Sequence, residues 1–446
     1  MSGKREQWAS GHGFVLATIG AAVGLGNIWR FSYVAGENGG GAFLIIYLLC
    51  VVFVGASIVF AEMALGRQAS GDAVAAFENS SPGSRWRYAG WVGVIGSFLI
   101  LSYYSVIAGW ALKYLVGGLT GILWLAAGEG FGGYFNRFIS NPGEPVAWQM
   151  AMLAATMFVV AGGVQRGIEA INRILMPLLA LFVVGLAAYA ATLPGSGAGW
   201  RFLFVPDWSV LLQREVYIAA LGQAFFSLGV GMAVFITYAS YMTRETRIPL
   251  FGSAIIVGDT LFAIVAGLAI FPAVFAFGMN PEAGPQLAFI TLPQMFLAMP
   301  GGEFVGPLFF ALLVAAALTS MISLLEVPVA SVVHRTRLNR WGATTVIGVA
   351  VFAVGIPSAM SFGLLSGIQI SGRGLLDFID QTVSNYVLPL AGILICVYVG
   401  WRWDRSTALS AADLAGKSVG LIWLWLLRLV APAMILLILF DSTGAL

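Results

Sequence analysis

The chain has 446 residues, of which 59% are hydrophobic and only 9% are charged. Because charged residues make up about a quarter of a soluble domain, this composition excludes a water-soluble protein and predicts a chain whose main solvent is lipid. The net charge is only +2, and the basic residues lie in short connections instead of one patch. We therefore expect a lipid bilayer as partner and no nucleic acid.

Apolar runs recur along the chain, and each is long enough as a helix to cross a hydrocarbon core about 30 Å thick. Backbone polar groups find no water there, so the runs must be helical. We predict an all-α polytopic membrane protein with about eleven transmembrane helices. The predicted spans are 13–36, 41–68, 88–117, 147–163, 167–191, 213–243, 248–278, 303–334, 341–357, 376–400 and 418–440. The Gly- and Pro-rich stretches 118–146 and 279–302 are predicted to be loops on the outer face.

Basic residues are distributed unequally between the two sides of this map. Most of the 22 Lys and Arg fall in the connections on the side that carries Lys4 and Arg5. Positively charged loops stay in the cytoplasm, which predicts a cytoplasmic N-terminus and, with an odd number of spans, a C-terminus outside. The two cysteines, Cys50 and Cys396, both lie inside apolar runs. They predict neither a disulfide framework nor a metal cluster.

The first span contains polar and glycine residues near its middle: Gly24, Gly26, Asn27 and Arg30. Glycine weakens a helix interior by roughly 1 kcal/mol relative to alanine and lets another group approach the backbone. A helix break is one interpretation of the two glycines. Close packing of helices through small residues is the other.

The sixth span has a second interruption, in the run from Gly222 to Met232. Interrupted spans at matching positions in two five-span halves indicate a transporter built from inverted repeats. We therefore expect one transporter domain, 1–446, with repeats at 10–191 and 213–400 and an additional span at 418–440. Half-helix N-termini at such breaks suit an anionic group, and the freed carbonyls suit a cation.

Long motifs at these breaks and in the neighbouring spans carry a family resemblance. They are 22–27 with Arg30 and Phe31, 37–43, Tyr103 with Tyr104, 222–228, 237–241 and 318–320. Here the sequence resembles the neurotransmitter:sodium symporter family, including its bacterial amino-acid transporters. The resemblance implies the 5+5 inverted repeat with broken helices 1 and 6. It also implies alternating access and uptake driven by Na⁺ across a bacterial plasma (inner) membrane.

The same resemblance implies two Na⁺ sites made of hard oxygen ligands. The first would use Ala22, Asn27, Ser227, Asp259 and the substrate carboxylate, and the second Gly20, Val23, Ala316, Thr319 and Ser320. The hydroxyls of Thr319 and Ser320 could instead bond to carbonyls of their own helix, as hydroxyls in membrane helices often do.

The substrate implied by the resemblance is an amino acid held between the two breaks. Its carboxylate would meet the first Na⁺, the backbone near Leu25 and Gly26, and Tyr104. The implied contacts and pocket walls are Ala22, Leu25, Gly26, Ile100, Tyr104, Phe226, Ser227, Gly229, Met232, Ser320, Ser323 and Leu324. Nothing charged faces the side chain, which predicts neutral hydrophobic L-amino acids. Gly229 and the flexible Met232 predict room for aromatic rings, whereas a filled pocket would admit only aliphatic substrates.

Two gates are implied on either side of this pocket. The outer gate would pair Arg30 with Asp377 above Tyr104 and Phe226. The cytoplasmic gate would use Arg5, Trp8 and Tyr241, but His334 stands where relatives have an aspartate. The sequence leaves open whether Glu326 or the packing of Trp8 compensates.

Asp259 is the main departure from the chloride-dependent relatives, which have Asn there. Its carboxylate can supply the negative charge that Cl⁻ supplies in them, and it would repel Cl⁻ from the matching positions Tyr47, Gln223 and Ser227. We therefore expect Na⁺ coupling without chloride.

Other classes of protein fit the sequence less well. His12 and His334 are the only histidines, and no nucleophile with a base is visible, so an enzyme is not expected. A channel needs no substrate-shaped pocket. A proton-coupled amino-acid transporter is the alternative, because Asp259 and Glu326 can titrate. No obligatory protein partner is evident.

Overall fold

The computed structural model describes residues 6–69, 71–243, 246–281 and 288–442. Regular structure in these ranges is helical, apart from an isolated antiparallel bridge between Ile370 and Arg373. The predicted all-α class is therefore confirmed. The helices are α1 Gly11–Ala22, α2 Gly26–Glu37, α3 Gly41–Ala69, α4 Ala73–Ser80, α5 Arg87–Leu119, α6 Ile122–Leu125, α7 Phe131–Ser140, α8 Glu144–Ala161, α9 Val164–Ala191, α10 Gly197–Phe204, α11 Arg214–Leu228, α12 Val234–Ser240, α13 Ile248–Ala276, α14 Thr291–Ala298, α15 Gly302–Arg335, α16 Arg340–Ala359, α17 Leu375–Arg402, α18 Arg405–Ala411 and α19 Ser418–Asp441.

Nine helices in the described ranges are long and apolar enough to cross a membrane: α3, α5, α8, α9, α13, α15, α16, α17 and α19. The pair α1 and α2 is a further candidate span, bent by 52° at its break. The pair α11 and α12 lies where the sixth span is predicted, but its helices have only 15 and 7 residues. The chain is thus a multi-pass membrane protein, and the count of eleven spans stays a prediction.

Both predicted outer loops contain short helices within the part of the chain that the structure describes. The first contains α6 and α7, and the second contains α14. In α7 the buried side chains Phe131, Tyr134, Phe135 and Phe138 recur at helical spacing, so the helix packs one apolar face onto the bundle. The abundance of glycine in these stretches obscured that periodicity.

An aromatic cluster lies beneath these loop helices. Phe289, directly before α14, stacks on Phe135 at 5.6 Å between ring centres. It also meets the rings of Trp29 at 6.4 Å, Trp110 at 5.8 Å and Tyr114 at 5.3 Å. The loop segment is therefore anchored to α2, α5 and α7 through one buried ring.

The broken helices lie at the centre of the bundle. The two longest helices, α5 and α15, pack along each other, and α1 packs against α9, α13 and α15. Helix α12 packs on α3 and helix α11 on the first part of α3. The membrane face at which α1 begins is called the N-terminal face below, and the other is called the opposite face.

Candidate functional site

The first helix leaves its regular path between Ala22 and Gly26. Val23 is extended, with φ −71° and ψ 109°. Gly24 lies so close to α15 and α5 that a Cβ atom there would come within 2.4 Å of Ser320 Oγ and 2.8 Å of Tyr104 Oη. The glycine therefore brings two polar side chains onto the broken backbone. Close approach and a helix break, the two interpretations of this sequence, occur together.

The second break separates α11 from α12. Gly229, Gly231 and Ala233 all have left-handed backbone conformations, with φ of 68°, 82° and 55°. Buried polar side chains of α3 and α5 hold the released backbone: Glu62 accepts from the Gly231 N–H at 2.8 Å, and Ser97 donates to the Met232 carbonyl. Glycine suits such positions best, because a left-handed backbone conformation costs other residues roughly 1–2 kcal/mol.

A cluster of three buried polar side chains connects the two breaks with α13. The Asn27 amide donates to Asp259 Oδ1 at 2.6 Å and to Ser227 Oγ at 2.9 Å. Ser227 donates to Asp259 Oδ2 at 2.7 Å, and Tyr47 donates to Ser227 at 3.3 Å. Asn27, Ser227 and Asp259 are each at most 1% exposed. The structure thus brings together the side chains of the predicted first Na⁺ site; we call them the first cluster.

A second cluster joins the end of α1 to α15. Thr319 Oγ1 lies 2.9 Å from the Ala316 carbonyl and 3.4 Å from the Val23 carbonyl. Ser320 Oγ lies 3.3 Å from the Val23 carbonyl. The two predicted roles of these hydroxyls overlap, since Thr319 bonds within its helix and also faces the break. Gly20, the remaining predicted ligand, packs against α9 one turn earlier in α1.

A small cavity of about 30 Å³ lies between the two breaks. Its lining includes the predicted residues Ala22, Gly26, Ile100, Tyr104, Phe226, Gly229, Met232, Ser320, Ser323 and Leu324. Leu25 and Ser227 were also predicted here but do not line it. The Leu25 N–H instead donates to Tyr104 Oη at 2.9 Å, and Ser227 belongs to the first cluster. Sequence reasoning missed the apolar wall residues Leu228, Val234 and Phe235.

Phe226 and Tyr104 separate this pocket from a larger cavity of about 320 Å³ toward the opposite face. The Arg30 guanidinium lies over the Phe226 ring at 4.8 Å and donates to Gln223 at 2.8 Å. Gln223 in turn donates to the Gly26 carbonyl at 2.9 Å. One chain of contacts therefore spans both breaks above the pocket.

The predicted outer pair of Arg30 and Asp377 is not formed as an ion pair among the described side chains. Both residues line the cavity above the pocket. Asp380, one turn further along α17, also lines it and shares with Arg30 a neighbouring cavity of about 650 Å³. Asp380 is therefore a second candidate partner for Arg30, which the sequence search missed although both acids lie on one short amphipathic stretch.

The N-terminal face is closed by a more extensive set of contacts. The Trp8 indole donates to the Tyr238 carbonyl at 2.9 Å, and Tyr241 donates to Glu326 at 2.6 Å. Glu326 also pairs with Arg340, whose guanidinium reaches Glu6 at 2.7 Å. This set, which we call the N-terminal lock, joins the chain before α1 to α12, α15 and α16.

Of the alternatives left open at this face, Glu326 and Trp8 both take part in the lock. His334 lies elsewhere, half-exposed and 3.9 Å from Asp72, and is not a partner of the lock. The predicted gate residue Arg5 lies outside the described residues. Arg340 was missed by sequence reasoning, although an arginine at the start of a span was a visible signal.

The chain matches the family described as "Sodium:neurotransmitter symporter family" over residues 5–131 and 134–445. It is 39% identical to the sodium-dependent transporter YhdH of Bacillus subtilis, with 99% of each chain covered. It is 31% identical to a sodium-dependent transporter of Haemophilus influenzae, with 98% of each covered. Its structure is similar to that of MhsT in complex with L-phenylalanine, with a TM-score of 0.92, 50% identity and 98% and 99% coverage.

The broken helices agree with these similarities, and the relatives are described as sodium-dependent transporters. The protein belongs to the sodium:neurotransmitter symporter family.

Proposed function

We propose that this protein is a Na⁺-coupled symporter that imports neutral hydrophobic L-amino acids by alternating access, without chloride. The observation that carries the proposal is the pocket between the two breaks. It has an apolar wall, no charged lining residue and the first cluster directly behind it.

The pocket supports a zwitterionic substrate with an apolar side chain. Freed backbone groups at both breaks suit the carboxylate and the ammonium. A charged side chain would be buried unpaired among Ile100, Met232 and Leu324, at a cost of several kcal/mol. MhsT was solved with L-phenylalanine, and its similarity supports a substrate of this class. Met232 is flexible enough to enlarge the pocket around aliphatic or aromatic side chains.

The two clusters support coupling through two Na⁺ ions. The first cluster offers the Asn27 amide, the Ser227 hydroxyl and the Asp259 carboxylate, and the substrate carboxylate would complete it. The second offers the Val23 and Ala316 carbonyls with the hydroxyls of Thr319 and Ser320, and Gly20 would join it. Oxygen donors of this kind suit a hard cation. Asp259 supplies a fixed negative charge beside the first ion, so no chloride is needed.

Transport requires the pocket to open to each face in turn. The N-terminal lock closes one route, while Arg30 with Phe226 and Tyr104 closes the other. We propose that the repeats 10–191 and 213–400 move against each other and break these contacts alternately. The concentration of basic residues at the N-terminal face supports a cytoplasmic N-terminus in a bacterial inner membrane.

Uptake into proteoliposomes tests the proposal. Labelled leucine should enter with saturation kinetics when Na⁺ is outside, and replacing Na⁺ with choline at fixed pH should abolish entry. Replacing chloride with gluconate should leave the rate nearly unchanged. Uptake that persists in choline and follows an imposed pH gradient would establish the proton-coupled alternative, for which the buried carboxylate of Asp259 is the structural argument.

A further inference from the structure

Asn172 in α9 has a buried side chain with an unsatisfied oxygen. The residue is fully buried, and its Nδ2 donates to the Ile168 carbonyl at 2.8 Å. Because a carbonyl can only accept, the amide nitrogen must face Ile168 and Oδ1 must face away from it. Oδ1 has no hydrogen-bond partner among the described atoms. A buried acceptor left unsatisfied costs about 1–3 kcal/mol, so this arrangement needs an explanation.

The unsatisfied oxygen faces Gly20, a predicted ligand of the second Na⁺ site. It packs against Gly20 so closely that a Cβ atom on that glycine would lie 2.1 Å from it. Gly20 is the predicted second-site ligand nearest the N-terminal face. Asn172 therefore lies immediately beside the second cluster, on the side from which an ion reaches the N-terminal face.

Further oxygens continue along the same interface between α1 and α9. Glu169 lies three residues before Asn172 in α9, is 1% exposed and packs against Gly13 of α1. Its carboxylate accepts from the Ala9 N–H at 2.7 Å, directly below the start of α1. The interface thus carries an amide oxygen beside Gly20 and, about one turn nearer the N-terminal face, a carboxylate that also pairs with Arg173 at 2.7 Å.

The helix that carries these oxygens is locally weakened on both sides of Asn172. Residues Val164–Glu169 form a π-helical segment that follows Gly163, which has a φ of 86°. Pro177 lies inside the helix beyond Asn172 and leaves one backbone hydrogen bond unmade. The stretch between them can therefore shift relative to α1 with little loss of helical bonding.

We propose that Asn172 Oδ1 is a transit ligand for Na⁺, the first protein oxygen that the second ion meets as it leaves the second cluster toward the N-terminal face. This inference rests on the proposed function. An amide oxygen is a hard, neutral ligand, so it can hold Na⁺ briefly. A lone buried carboxylate would instead trap the ion through its charge. The oxygen speeds the exchange of the ion and leaves its affinity at equilibrium unchanged.

The experiment compares the full-length parent, Asn172→Leu and Asn172→Asp as purified proteins with saturating leucine. It measures the Na⁺ concentration for half-maximal leucine binding and the rate at which bound radioactive Na⁺ exchanges with unlabelled Na⁺. Leucine has the same branching at Cγ as asparagine but no oxygen, although its two methyl groups are larger than the amide atoms. We expect Asn172→Leu to slow exchange about tenfold, equivalent to about 1.4 kcal/mol of barrier, with half-saturation changed less than about twofold. Asn172→Asp keeps an oxygen but adds a buried charge that would hold the ion longer, so it should not restore the rate and should lower the Na⁺ concentration for half-maximal binding.

Gln149→Leu is the matched control, because Gln149 in α8 is another fully buried amide with an unpartnered oxygen, and its nitrogen donates to Ser105 of α5 and not to either cluster. It should exchange Na⁺ like the parent. Equal Na⁺ exchange rates in Asn172→Leu and the parent would overturn the proposal. Equal slowing in Gln149→Leu would also overturn it, as would a large change that Asn172→Leu makes in the Na⁺ concentration for half-maximal leucine binding. If Asn172→Leu does not fold, Asn172→Ala is judged by the same criteria. A parent that binds leucine without Na⁺ would contradict the proposed function instead.

Discussion

The two polar clusters differ in charge and in how they are built. The first cluster carries the Asp259 carboxylate, and its three side chains already satisfy one another through short hydrogen bonds. The second cluster is neutral, and its hydroxyls lie at longer distances of 3.3–3.4 Å from the carbonyls of the broken helix.

This difference separates two ways of holding the same ion. A charged, prearranged cluster attracts a cation strongly and depends on individual side chains. A neutral cluster of carbonyls and hydroxyls depends on the position of the helix break, so its affinity changes when that break moves. We therefore expect the first ion to be tied to the substrate and the second to the conformation.

Removing the charge of the first cluster should have the largest effect. At low chloride, Asp259→Asn should reduce Na⁺-driven leucine uptake by roughly 100-fold, or about 2.7 kcal/mol, because a buried ion loses its counter-charge. Added chloride should restore part of the activity by replacing that charge. Uptake rates across a chloride series, with gluconate as the balancing anion, measure this. Parent-like uptake without chloride would contradict the assigned role of Asp259.

Neutral ligands of the first cluster should matter less than its charge. Asn27→Ala should weaken Na⁺-dependent leucine binding by about tenfold, since a hydrogen-bonding partner of a charged group contributes about 1.5–3 kcal/mol. High Na⁺ should rescue the binding.

Tyr104→Phe should also weaken binding about tenfold, but Na⁺ should not rescue it, because the lost hydroxyl would contact the substrate and not the ion. Equal rescue of both variants would remove this distinction.

A single change in the second cluster should have a smaller effect. Thr319→Val keeps the shape of the side chain and removes one hydroxyl, so the Na⁺ concentration for half-maximal binding should rise about fivefold, or about 1 kcal/mol. Na⁺ titration of leucine binding measures it, with Thr344→Val as a control for a buried hydroxyl outside the clusters. A shift as large as that of Asp259→Asn would mean that the two clusters are not distinct in strength.

The smallest expected effect concerns selectivity and leaves both clusters intact. Gly229→Ser places a side chain on the pocket wall at a left-handed position, so it should weaken all binding modestly. The substitution should weaken the binding of tryptophan about threefold more than the binding of leucine, because the larger ring needs the space. Competition against labelled leucine gives this ratio. If tryptophan does not compete in the parent, the pocket admits only aliphatic substrates.

The sequence predicted the parts of this structure that leave a local pattern. Apolar runs located the long helices, and the glycines around Gly24 and Gly231 located both breaks. The family resemblance placed Asn27 and Asp259 in one site although they are 232 positions apart. Polar side chains at these breaks lie within the motifs themselves, which is why the motifs suffice there.

The remaining features depend on packing that no local pattern records. The partner of Glu326 is Arg340 because α15 and α16 meet at the N-terminal face. Asp377 and Asp380 are equally acidic in sequence, and only the turn of α17 decides which one shares both cavities with Arg30. The unsatisfied oxygen of Asn172 is visible only once α1 and α9 lie side by side.

The packing of two tryptophans on the Phe289 ring should make the position of the outer loop visible in tryptophan fluorescence. Two indoles, those of Trp29 and Trp110, lie against this one ring, on helices that border the cavity above the pocket. Any movement that lifts the loop away from the bundle exposes both indoles to water together. Tryptophan emission should therefore shift to the red when that cavity opens, and Phe289→Ala should leave the emission red-shifted throughout.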